Sequence, residues 1–138
     1  MLLCDAAQVV EGKLYILGGG WSMIGPDPAP SAVALKIEVD WHEAGMPHRW
    51  ELYLEDADGR PVLVETPNGQ MPMEVSGEFT VTQPPGIPEG SPIDVQLAVN
   101  LGPIPLQPGT RYKWRLTIDG EMLPGSSVGF TARARTPA

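Results

Sequence analysis

Val33-Ala34-Leu35-Lys36-Ile37-Glu38-Val39-Asp40-Trp41 decides the fold. Apolar side chains fall at every second position, and a helix would need them at 36 or 40, where Lys and Asp stand. A period of two is that of a strand with one face buried. The same rhythm returns at Trp50, Leu52, Leu54, with Glu51, Tyr53 and Glu55 on the other face. Ile93, Val95, Leu97, Val99 and Leu101 form the cleanest strand, and Tyr112, Trp114, Leu116 and Ile118 follow. Val128, Phe130, Ala132 and Ala134 close the chain. Asp58-Gly59 marks a turn after which Val62 and Val64 continue as a hairpin, and Asn68-Gly69 marks another. Met73, Val75, Phe79 and Val81 make a further strand in which Ser76-Gly77 is expected to mark a bulge. Leu2 to Val10 fits either a short helix or a strand. Glu11-Gly12 followed by Leu14-Tyr15-Ile16-Leu17, with Gly18-Gly19-Gly20 as a stop, favours a hairpin.

The 138 residues suit a single domain, expected to span residues 1–138. Sixteen Gly and 16 Pro leave no room for long helices, because the longest stretch free of both, Ser31 to Ala44, is the strand just described. Gly, Pro or charge interrupts every apolar run well before a membrane-spanning length of about 18 residues. Nine Lys and Arg against 17 Asp and Glu give a net charge of −8, which disfavours nucleic acid and anionic membranes as partners. A single cysteine, Cys4, excludes an internal disulfide, and the first residues carry no signal-peptide pattern. A cytoplasmic protein is expected.

Strands at regular spacing with turns between them imply an all-β, antiparallel Greek-key sandwich of about eight or nine strands, immunoglobulin/fibronectin- or C2-like. Leu106-Gln107-Pro108-Gly109-Thr110-Arg111-Tyr112 resembles the tyrosine corner of fibronectin-type and immunoglobulin-like sandwiches. That resemblance implies a Tyr112 ring packed in the corner with its hydroxyl on backbone a few residues upstream. Cys4-Asp5-Ala6-Ala7-Gln8 through Gly12-Lys13-Leu14-Tyr15-Ile16-Leu17-Gly18-Gly19 resembles the opening of a family of small uncharacterised bacterial proteins. This second resemblance implies no residue role.

Candidate chemistry is sparse. Asp56-Ala57-Asp58-Gly59 has the acids of a calcium loop, but Leu54 stands at its first ligand position and strands flank it. A turn rich in acids is the plainer reading, with a sandwich-end calcium site at Asp56 and Asp58 as the alternative. His42 and His48, the only histidines, share a loop with Glu43 and lack metal-ligand spacing, so both are expected to be solvated. Cys4 beside Asp5 lacks the electropositive setting of a reactive thiol and reads as a small core residue. The Gly18–Gly20 run lacks the Lys-Ser/Thr of a phosphate loop and is expected to serve positive φ or a bulge. No cofactor is indicated.

Charge is unevenly spread. Residues 111–135 hold five cations against Asp119 and Glu121, whereas the first 110 carry four cations against 15 acids. Arg111, Lys113 and Arg115 share one outward face, either paired with Glu51 and Glu55 on a neighbouring strand or free to meet an acidic partner. Trp50 and Trp114 belong in the core. Trp21 and Trp41, with Met23, Ile24, Met46 and Met71, are large apolar loop residues expected to gather at one end of the sandwich. The expected function is therefore non-enzymatic: protein–protein interaction or assembly, as a homo-oligomer or a subunit of a larger complex. Trp21, Met23, Trp41, Met46, Arg111, Lys113 and Arg115 are its candidate interface. The alternative is a small-ligand or carbohydrate-binding sandwich using Trp21, Trp41, Asp56 and Asp58. An enzyme would need a metal held by His42, His48 and neighbouring acids.

Overall fold

The computed structural model describes residues 1–136. The strands, in order, are β1 (Leu2–Val10), β2 (Lys13–Gly19), β3 (Met23–Ile24), β4 (Ser31–Val39), β5 (His48–Asp56) and β6 (Leu63–Thr66). They continue with β7 (Gly69–Pro72), β8 (Glu74–Phe79), β9 (Ile93–Leu101), β10 (Arg111–Ile118) and β11 (Ser127–Ala132). A 3-10 turn over Trp41–Glu43 is the one helical element among the described residues. No helix there is long and apolar enough to cross a membrane. The eleven strands among the described residues exceed the eight or nine expected because β3, β6 and β7, of two to four residues, are too short to show a period.

One sheet has the order β2-β1-β4-β9, the other β3-β11-β10-β5-β8, and β6-β7 form a separate ribbon. The connections β4→β5 and β9→β10 each cross from the first sheet to the second, leaving β4 beside β9 and β5 beside β10. Side chains from both sheets meet in one cluster: Leu3, Val33, Leu35, Ile37 and Val39 from the first, Leu52, Leu54, Trp114, Leu116 and Phe130 from the second. The protein is an all-β sandwich. Each of these large side chains contributes about 1.5–3 kcal/mol by leaving water.

The tyrosine corner is present. Tyr112 is 8% exposed, its hydroxyl accepts the Gln107 N–H at 2.8 Å, and its ring stacks on Phe130 at 5.7 Å between centroids. Strand pairing is antiparallel with one departure: β3 runs parallel to β11, Met23 opposite Thr131.

Two expected local features are corrected. Ser76-Gly77 makes no bulge, since the β5–β8 register runs unbroken from His48↔Phe79 to Tyr53↔Glu74. Gly77 instead lies beneath the Trp50 indole, where a Cβ would sit 2.7 Å from Nε1. The turn at Asp58-Gly59 returns the chain to β5 only as far as Val62, whose N–H reaches Leu54 O at 3.0 Å. Met73 then takes over, donating to Val62 O and accepting from Leu54 N–H. Residues 63–72 thus leave the sheet as the β6–β7 ribbon, with Leu63 and Met71 exposed.

Candidate functional site

The outward face of the first sheet is where the structure departs most from an ordinary sandwich. β1 pairs with β4 only through Leu2, Leu3 and Cys4, then continues to Val10 paired with β2 alone. The resulting β1–β2 arm lies over the sheet. Asn100 on β9 holds it, accepting the Ala7 N–H at 3.2 Å and donating to Ala7 O at 2.8 Å. Ala7 and Leu14 of the arm pack there on Cys4, Ala32, Ala34 and Ala98, and of these Cys4, Ala7, Ala32 and Ala34 are buried. Small side chains on that face let the arm's backbone come close. Cys4 is therefore buried as expected, though outside the main core, with Sγ 3.6 Å from Ala32 O. Burial, then the Asp5 charge, pushes its thiol pKa up, away from reactivity. Gly18 has φ +57, and the space a side chain would need there is taken by the Asp5 carboxylate.

What the arm buries on one side it exposes on the other. Leu17 is 71% exposed and Tyr15 54%, with Val9, Val10 and Ile16 also open. β2 is one of the sheet's two edge strands and pairs only with β1. Isolated exposed apolar residues are ordinary; a run of them on one edge strand marks a contact surface.

Of the interface residues expected from sequence, Trp21 and Met23 lie at the end of the sandwich where β4 begins. Trp41 and Met46 lie at the other end, beyond Val39. β4 is nine residues long, so roughly 26 Å separates the two groups at about 3.3 Å per residue. They form no common apolar surface, and the expectation of a single end is corrected: the β4–β5 and β2–β4 connections simply leave opposite ends. Trp21 is half-buried, edge-on to Phe130 at 6.2 Å. It walls a hollow of about 30 Å³ with Ile24, Ile104, Leu106 and Trp114. Its Nε1–H is buried without an acceptor. Met23 is 57% exposed beside it.

Of the basic strip, Arg115 is paired, while Lys113 and Arg111 are exposed. Arg115 bonds Glu55 through Nε at 2.5 Å and lies 4.8 Å over the Tyr53 ring. Tyr53 in turn donates to Glu51 Oε2, and that bond is the first cause of its raised pKa. Lys113 stands opposite Glu55, and Arg111 at the strand's end remains exposed.

His48 departs from expectation. It opens β5 facing inward, 6% exposed and stacked on Phe79 at 5.3 Å, whereas His42 is solvated. Its Nδ1 lies 2.7 Å from Asp119 Oδ2, while Asp119 Oδ1 accepts the Arg49 N–H at 2.9 Å. The bond to His48, then that to Arg49, holds the Asp119 carboxyl below its usual range. One charged residue thereby ties the β10–β11 turn to the start of β5. Nothing in the sequence pairs positions 48 and 119; only the β5–β10 register does.

Asp56 has a structural task. Its Oδ1 accepts the N–H groups of Asp58 and Arg60, both at 2.9 Å, closing the turn. Among the described residues no three His, Cys, Asp or Glu side chains gather as a metal site. Trp41 is at the opposite end of β5 from Asp56 and Asp58, so the residues of the alternative ligand site are not assembled.

The class defined so far is a β-sandwich domain carrying a folded-over β-arm and a partly open edge. The chain belongs to DUF6941, a family of unknown function whose model matches residues 1–128. No curated protein and no solved structure matches it.

Proposed function

We propose that this chain is a non-enzymatic association module, working as a homo-oligomer or as a subunit of a larger assembly. The observation that carries this reading is the β1–β2 arm. It sets Tyr15, Ile16 and Leu17 in solvent along an edge strand whose outer backbone groups have no strand partner. Edge strands left uncovered invite pairing, and proteins normally blunt them with charge or Pro. Past Lys13, which opens the strand, Leu14 to Gly19 carry neither. The test is light scattering on the wild type and on a Tyr15→Asp/Leu17→Asp variant at matched concentrations. A lower assembly mass in the variant, with an unchanged circular dichroism spectrum, supports the reading. Identical masses for both proteins count against the arm as the contact.

A further inference from the structure

Besides the edge strands β2 and β9, the first sheet leaves one side of β4's second half without a strand, and the chemistry there is self-complementary. β1 covers β4 only from Ala32 to Ala34, and the register places Met1 level with Leu35. Beyond that point Lys36, Ile37, Glu38 and Val39 pair with β9 on one side and with no strand on the other. A groove of about 340 Å³ runs beside this edge, lined by Met1, Leu35, Ile37, Ile118, Leu123 and Ser126 among others. Ser126 is 7% exposed, and its hydroxyl has no hydrogen-bond partner. A bare ladder edge and an orphaned hydroxyl both call for backbone from another strand.

We propose that the occupant is a second copy of this chain, its β4 antiparallel to this one about a two-fold axis through Ile37. This inference rests on the association reading and names its partner. In that register Ile37 meets Ile37 of the second copy, Lys36 meets Glu38, and Glu38 meets Lys36. Opposite charges then face each other at both flanking positions by symmetry. Moving the axis onto Glu38 or Lys36 puts Glu38 opposite Glu38, or Lys36 opposite Lys36, so the charges favour the Ile37 axis over those two. Within one copy, Lys36 reaches Glu38 at 3.7 Å and Asp94 at 3.6 Å, each about half exposed. Such solvated pairs are worth little and exchange readily for contacts across the axis. Leu123 (45% exposed) and its neighbour Met122 (52%) add apolar surface where the groove opens. That surface matters, because a three-residue ladder alone buries too little for a stable dimer.

Charge reversal tests this. Lys36→Glu leaves two acids facing two acids across the axis, and Glu38→Lys leaves bases facing bases. Each variant alone is expected to weaken self-association at least about tenfold. An equimolar mixture of the two restores opposite charges at every pair and is expected to regain a mass near twice the 14.8 kDa of one chain. Both positions are solvent-facing, and retained Tm confirms that each variant folds. In the wild type, hydrogen exchange at residues 36–39 should slow as concentration rises, which tests the same edge without substitution. Single variants that associate as the wild type does would overturn the inference. So would a mixture that stays monomeric, or exchange at 36–39 indifferent to concentration. If the arm variant alone lowers the mass, the broader association reading stands and this edge is not the contact.

Discussion

Replacing Gly77 by alanine sets two effects of opposite sign against each other. In an unobstructed strand, Gly→Ala stabilises by about 0.4–1 kcal/mol, because the unfolded chain loses freedom. At Gly77 the added Cβ would lie 2.7 Å from Trp50 Nε1, 2.8 Å from Cε2 and 2.9 Å from Cζ2. Three atoms of one rigid ring are involved, so the indole must shift as a body against Leu52's layer of the core. Overpacking of that kind costs about 1–3 kcal/mol, and it outweighs the entropy gain. The net expectation is a loss of about 1–2 kcal/mol, or a Tm lower by about 3–8 °C for a chain this size. The assay is urea denaturation followed by circular dichroism, done in two backgrounds. With Trp50→Leu the ring is gone, and Gly77→Ala should then stabilise by about 0.4–1 kcal/mol. The sign change is the signature. An equal cost in both backgrounds would refute the claim that the glycine exists to seat the tryptophan.

Three further substitutions probe other joints. Tyr112→Phe strands the Gln107 N–H that now bonds the hydroxyl at 2.8 Å; it should cost about 1–3 kcal/mol in the same assay, and a neutral result would remove the corner as a stabilising element. Asn100→Ala deletes both bonds that hold Ala7, so amides of residues 5–10 and 13–18 should exchange faster while those of β5 and β10 do not; unchanged exchange would mean the arm is held by its apolar underside alone. Asp119 is held below its ordinary pKa by His48 and the Arg49 N–H, so its stabilising effect is full above the unfolded-state value of about 3.9 and is lost as pH falls through the lower folded value. The stability gap between wild type and Asp119→Asn, followed by urea titration, should therefore be constant near neutrality and close below pH ~4; a gap independent of pH would contradict it.

The layered architecture was legible because alternation in β4, β9 and β10 is set by side chains one can count, and because the corner motif around Tyr112 is local. What escaped depends on neighbours distant in the chain. Ala32 and Ala34 carry no polarity signal, so nothing marked them as the seat of the arm that Asn100 holds 93 residues from Ala7. His48 reads as a solvated loop residue because its neighbours Gly45 and Pro47 are loop formers, and only its packing on Phe79 places it inside. Gly77 suggested a bulge since its reason, the indole across the ladder, is visible only once the register is known. Trp21 and Trp41 looked equivalent as loop aromatics, and only the course of β4 between them separates their ends. Lys36 and Glu38 were read as the wetted face of a strand, which they are. Their mutual complementarity acquires meaning only when β1 is seen to stop short of them.

Sedimentation equilibrium of the unmodified chain, from micromolar to near-millimolar concentration, addresses the association claim most directly. The weight-average mass should rise from 14.8 kDa toward about twice that value. A mass fixed at one chain across the whole range would contradict self-association and leave the exposed arm and the bare β4 edge without the role assigned to them.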